Sequence, residues 1–208
     1  KTSLLLGLPM VLNGIFITLS TNGNRFIMNQ FLSLESVGQY TIAFTITSSI
    51  QFISTSFIMV WMPIFFTNMK QESHRKKNEA YLLTAIIFIA AIVFVLQISI
   101  RDIGSLFLSE QYSQASAFAV SLLPYFLLAM VTSAASLYLV YYKNTLALSI
   151  INTFTGLSIL GANFIFIPMF GIEASIFLLS ISKILTAICL FGFLFFKHKI
   201  VFQYWKYV

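Results

Sequence analysis

Of the 208 residues, 59% are hydrophobic and only 9% are charged. A water-facing domain carries roughly 25% charged residues, so an ordinary soluble single-domain enzyme is excluded. Twelve Lys and Arg against six Asp and Glu leave a net charge of +6, which in so apolar a chain reports orientation in a membrane and argues against a nucleic-acid partner.

The apolar residues come in runs of about 20 rather than in alternating segments, the pattern of membrane helices and not of a membrane β-barrel. The fold class expected is all-α, a polytopic membrane protein forming one lobe over 1–208. Spans are predicted at about 4–22, 39–68, 80–100, 117–141, 146–168 and 172–196. The second is long for a hydrocarbon core of ~30 Å, and tilt or a kink near Pro63 would accommodate it. The first could be mistaken for a signal-peptide core, but Ser20-Thr21-Asn22-Gly23-Asn24-Arg25 is no small-residue cleavage site. The chain starts at Lys1 rather than methionine, which fits a fragment or a processed product.

With spans alternating in direction, the loops separate by charge. Lys70, Arg75, Lys76, Lys77, Lys143, Lys197, Lys199 and Lys206, together with Lys1, fall on one side. Arg25 and Arg101 fall on the other, beside Glu35, Asp102, Glu110 and Glu173. The positive-inside rule then places both termini in the cytoplasm. Trp61, Tyr141, Tyr142, Tyr204 and Trp205 are read as interfacial belts, and the abundant Phe as lipid-facing surface.

Lys183 breaks the apolar pattern. It lies about a dozen residues from either end of the last span, roughly 18 Å at helical rise, too deep for its stem to snorkel to a headgroup layer. A charge there costs at least ~2.5–3.5 kcal/mol, so water or a partner is required beside it. Ser175, Ser182 and Thr186 share one side of that span, with Lys183 flanking them. Asn152, Gly156 and Asn163 line the fifth span, with Ser149 at the edge; Asn13, Ser20 and Asn24 line the first, with Pro9 beside them. These strips suit either a hydrated pathway or interhelical hydrogen bonding. Arg25, at the outer end of the first span, is either a guide for an anion or an interfacial anchor.

Catalytic chemistry is not indicated, and the chain is not expected to be an enzyme. His74 and His198 lie in basic loops, Cys189 is the single cysteine, and no HExxH, CxxC or Walker-type loop occurs. No cofactor and no metal site are expected. With every acidic residue in a loop or near a span end, coupling through an intramembrane carboxylate is disfavoured.

Several segments together resemble a known family. Asn24-Arg25-Phe26-Ile27 and then Phe31-Leu32-Ser33-Leu34-Glu35-Ser36-Val37-Gly38-Gln39-Tyr40 resemble the DR-F and LGLE-x-VG-x-Y stretch of the Wzx-type O-antigen flippases, which are polysaccharide-biosynthesis membrane proteins. Val60-Trp61-Met62-Pro63 is similar to their W-x-P, and Leu108-Ser109-Glu110-Gln111-Tyr112-Ser113-Gln114-Ala115 to their Y-x-x-A loop. Asn163 with Ile167-Pro168-Met169-Phe170-Gly171-Ile172-Glu173-Ala174-Ser175 resembles their N and IP-x-x-G-x-x-GAA segment. Asn24 stands where the family has Asp, and Glu173-Ala174-Ser175 where it has Gly-Ala-Ala.

The resemblance implies the multidrug/oligosaccharidyl-lipid/polysaccharide exporter superfamily, whose members enclose a cavity between two six-helix lobes. This chain would be the second lobe. It implies flipping of undecaprenyl-pyrophosphate-linked oligosaccharide for O-antigen, capsule or another surface polysaccharide across the bacterial cytoplasmic (inner) membrane. The partners implied are that lipid-linked substrate, membrane lipid, a missing N-terminal lobe and a polysaccharide polymerase complex. Lys183, Arg25, Asn13, Asn152, Asn163 and Ser182 would line the pathway. The alternatives are a drug/cation antiporter of the same superfamily and a non-transporting membrane fragment.

Overall fold

A computed structural model describes residues 2–70, 72–107 and 112–198. Apart from short turns, those residues form helices: α1 (Thr2–Phe31), α2 (Leu34–Met69), α3 (Glu72–Phe107), α4 (Ser113–Tyr141) and α5 (Thr145–His198). Four stretches of them, Leu34–Met69, Lys76–Ile100, Gln114–Tyr141 and Thr145–Lys197, are long and apolar enough to cross a membrane. Large apolar side chains such as Phe52, Phe88, Phe164 and Phe177 stand on the outer surface. Together these features mark a multi-pass membrane protein.

Each break between helices has a local chemical cause. Ser33 caps α2: its backbone is extended (φ −67°, ψ 150°) and its hydroxyl accepts the Ser36 N–H at 3.2 Å. Glu35 follows in the first turn, where a carboxylate complements the helix dipole. α4 closes in a Schellman turn. The Asn144 N–H reaches back to the Leu139 carbonyl at 2.8 Å and the Lys143 N–H to that of Val140 at 3.0 Å. Lys143 itself takes φ +56°, the left-handed conformation usually given to glycine at this position.

The predicted fifth and sixth spans both lie within α5, and the boundary between them is a single residue. Gly171 has φ +65° and ψ −146°, a region open to glycine and strained for residues with a Cβ. It reverses the chain. The Thr186 hydroxyl meets that of Thr155 at 3.1 Å, whereas residues 31 apart on a straight helix would be separated by about 46 Å. The arms 145–170 and 172–198 are therefore antiparallel and paired.

Contacts between helices set the levels along the axis. At one end Asn24 of α1 bonds both Tyr40 of α2 and Ser175 of α5, and Tyr112 lies against Gly38. At the other end the Tyr141 hydroxyl donates to the Met69 carbonyl at 3.2 Å, and Lys197 donates to Asn144 at 3.1 Å. There the α2–α3 turn is locked by Asn78, whose amide donates to the Phe65 carbonyl at 3.1 Å and accepts from Asn68 at 2.9 Å. In lipid, where apolar burial drives helices together little, such bonds and close packing carry association. α1 approaches the first arm of α5 at Gly23, where a Cβ would come within 2.9 Å of Leu160.

The interior forms two apolar clusters, one around Met28, Phe44, Leu122 and Phe126, the other around Trp61, Phe65, Tyr138 and Leu194. The second corrects one expectation. Trp61 is 2% exposed and does not belong to an interfacial belt. Phe57, Trp61 and Phe65 recur every four residues on α2, so their rings run along one side of the helix. Trp61 stacks on Phe57 at 5.7 Å and meets Phe65 edge-on at 5.2 Å, and Phe65 meets Tyr138 of α4 at 4.8 Å. Tyr141 and Tyr142 are half-buried beside the basic end. Tyr204, Trp205, Lys1, Lys199, Lys206 and Glu110 lie outside the described residues.

Candidate functional site

The site is built on helix surfaces that hold positive charge. α1 does not end with the apolar run at residue 22 but continues helically to Phe31, so Arg25 is a helix side chain and not a loop residue. Spacings of four and three residues put Thr18, Asn22 and Arg25 on one line of that helix. The Arg25 guanidinium carbon sits 4.9 Å from the centre of the Phe44 ring on α2. Its Nε is buried and has no hydrogen-bond partner among the described residues.

Lys183 projects from the second arm of α5, half-buried, with its ammonium 5.6 Å from the centre of the Tyr125 ring on α4. The two aromatic partners belong to one group. Phe44 and Tyr125 are 6.4 Å apart, Phe44 and Phe126 5.4 Å, Tyr125 and Phe126 4.9 Å, and Tyr40 and Phe44 6.0 Å. One aromatic platform therefore carries a guanidinium on one ring and an ammonium on another. The backbones that carry the cations are staggered. Ser175 is level with Asn24 through their 2.9 Å hydrogen bond, and Lys183 lies eight residues further along the arm, about 12 Å of helical rise. The rings under the two charges are 6.4 Å apart.

Magnitudes decide what these rings can do. A cation over an aromatic face gains ~0.5–1 kcal/mol when exposed and ~2 kcal/mol when desolvated. Holding a lysine at mid-membrane costs at least ~2.5–3.5 kcal/mol. A ring alone does not offset the charge, and no carboxylate among the described residues forms an ion pair with either cation. The platform fixes where the cations stand and closes off the Arg25 Nε, but leaves the terminal guanidinium nitrogens and the Lys183 ammonium available to water or to an anion.

The remaining predicted positions separate by environment. Ser182 is buried, and its hydroxyl donates to the Leu179 carbonyl of its own helix at 2.6 Å. Thr186 donates to the Ser182 carbonyl at 2.7 Å and bonds Thr155, and Ser175 accepts from Asn24. That strip thus joins the two arms and α1, with Lys183 projecting beside it. Ser149 and Gly156 are buried on the first arm. Asn152 is half-buried there and has an interaction partner. Asn163 is fully buried, and neither its amide nitrogen nor its oxygen has a hydrogen-bond partner among the described residues; a site of this kind calls for water or another polar group. Asn13 lies on α1, and its side chain is outside the described residues.

The rings that seat the cations, Phe44 and Tyr125, and their neighbour Phe126, do not stand out in the sequence. One signal was present: tyrosine favours the membrane interface, whereas Tyr125 lies inside a long apolar run. Cys189 is a half-buried free thiol. Among the described residues, no three His, Cys, Asp or Glu side chains gather into a metal-binding group. In comparisons with known proteins, no family model, no curated protein and no solved structure matches the chain.

Proposed function

We propose that this chain is one lobe of a membrane flippase that moves a pyrophosphate-linked, polyprenyl-anchored oligosaccharide across the bacterial cytoplasmic membrane. α1 to α4 and the two arms of α5 would make six crossings, with the basic ends cytoplasmic. The observation that carries this reading is the pair Arg25 and Lys183, seated on one aromatic platform with no carboxylate partner among the described residues. The resemblance of the Asn24–Tyr40 and Asn163–Ser175 segments to Wzx-type flippases supplies the substrate class.

The physical task is to carry an anionic headgroup and hydrophilic sugars through a medium hostile to both. Lys183 would meet the pyrophosphate as a compact point charge, and Arg25 would receive it nearer the outer end. A guanidinium suits that second role because its planar fork binds phosphate oxygens in pairs. At about 4 Å and an effective dielectric near 20, each such contact is worth about 4 kcal/mol, comparable with the cost of placing the charge. Asn13, Asn152 and Asn163 are candidates to bond sugar hydroxyls while the polyprenyl tail stays in lipid. A second lobe would close the pathway, and rocking of the lobes would alternate access. The antiporter alternative wants a deep carboxylate for its coupling ion, and all six acidic residues lie in loops or near span ends.

The test is complementation of a flippase-deficient strain by the full-length gene carrying Lys183→Ala. Surface polysaccharide is expected to fall while the amount of protein in the membrane is unchanged. Normal export by that variant would remove Lys183 from the mechanism.

A further inference from the structure

α4 and the second arm of α5 leave between them a cleft of about 660 Å³, a size typical of small-ligand sites. Its walls are apolar, with Phe118 on α4 and Ile176 and Phe177 on α5. Its polar groups are Glu173, Ser121 and Ser180. Glu173 is exposed, lies two residues past the Gly171 reversal, and forms no ion pair among the described residues. It therefore stands at the level where the helices end. Ser180 is seven residues further along the arm, about 10 Å deeper.

The hydrogen-bonding character of the lining is one-sided. Ser121 gives its proton to the Ala117 carbonyl at 3.3 Å, and Ser180 gives its proton to that of Ile176 at 3.4 Å. Their oxygens remain as acceptors, and the Glu173 carboxylate is acceptor-only when ionised. The lining contains no cationic side chain. Such a lining favours a cationic group rich in N–H donors. We propose that the α4–α5 cleft binds an amphiphile with a primary-ammonium head, the ammonium on Glu173 and the hydrocarbon chain along Phe118, Ile176 and Phe177. A primary ammonium has N–H donors to give the Glu173 carboxylate, while a quaternary one has none. The inference is independent of the transport reading, since neither Arg25 nor Lys183 lines the cleft.

Two sources share this chemistry: an ethanolamine phospholipid of the surrounding bilayer and a free long-chain amine. The purified full chain is exposed in detergent to ethanolamine, choline and glycerol phospholipids of identical chains, and separately to dodecylamine, with retained ligand read by native mass spectrometry. Retention of the ethanolamine lipid about tenfold above the other two is expected, the size of a charge-assisted hydrogen bond. Glu173→Gln should abolish that preference and Glu173→Asp should keep it, with helicity by circular dichroism unchanged in both because the side chain is exposed. Binding of dodecylamine without preference among the phospholipids, again lost in Glu173→Gln, would identify the free amine as the source. A carboxylate in a first helical turn also complements the helix dipole, but that role has no headgroup selectivity. Absence of selectivity for either ammonium compound, or its survival in Glu173→Gln, overturns the proposal.

Discussion

Replacing Gly171 by alanine tests the reversal of α5 in isolation from packing. A methyl group at this position meets no heavy atom within 4 Å, so any cost comes from the backbone alone. At φ +65° and ψ −146° an alanine is strained by about 1–3 kcal/mol. Gly161 and Gly192 are the matched controls: a Cβ there also meets nothing within 4 Å, and neither has the positive φ of Gly171. Alanine at an ordinary helical glycine stabilises by about 0.5–1 kcal/mol. The variants should therefore move in opposite directions, and a gap of about 2 kcal/mol would change the folded-to-unfolded ratio roughly thirty-fold. Denaturant unfolding of the purified chain in detergent, followed by far-ultraviolet circular dichroism, reads the difference. Equal stability of Gly171→Ala and the two controls would refute the strained one-residue reversal.

Two further outcomes follow from local geometry. Lys143→Gly should stabilise the chain by about 1 kcal/mol, because the left-handed position closing α4 costs a lysine more than a glycine; the same unfolding measurement checks it. Cysteines replacing Thr155 and Thr186, in a Cys189→Ala background, should form an intramolecular disulfide on mild oxidation. Their present hydroxyls are 3.1 Å apart, compatible with disulfide reach, and the readout is loss of maleimide labelling that dithiothreitol restores. Persistent labelling of both thiols would separate the arms.

Much of the fold was legible because hydropathy reports which stretches tolerate lipid. The predicted break between residues 168 and 172 contains Gly171, and the predicted end at residue 141 coincides with the end of α4. Helix ends elsewhere were not legible for the same reason. α1 runs on through Asn24 and Arg25 to Phe31, and α3 begins at Glu72 within the basic segment. Hydropathy falls where a helix leaves the hydrocarbon, while its backbone hydrogen bonds continue. Lys183 announced itself by its cost in lipid, but Tyr125 did not, since that contact joins α5 to α4 across 58 positions of sequence. Asn24 was read as one of a polar line, and the partners that bury it, Tyr40 and Ser175, belong to two other helices. The burial of Trp61 is not legible locally, because its ring partners Phe57 and Phe65, one turn away on either side, have the composition of lipid-facing surface.

The amide of Asn24 has a mechanical consequence. A single buried side chain clasps three helices, since both its bonds are short and reach different partners. Pulling α1 away from α2 and α5 would strand the amide, a phenol and a hydroxyl at once, each costing about 1–3 kcal/mol when left bare. The clasp thus behaves as a latch: small tilts of α1 strain it elastically, and full separation of α1 requires both bonds to break. Tilting of α1 against α2 and α5 is thereby hinged at this corner.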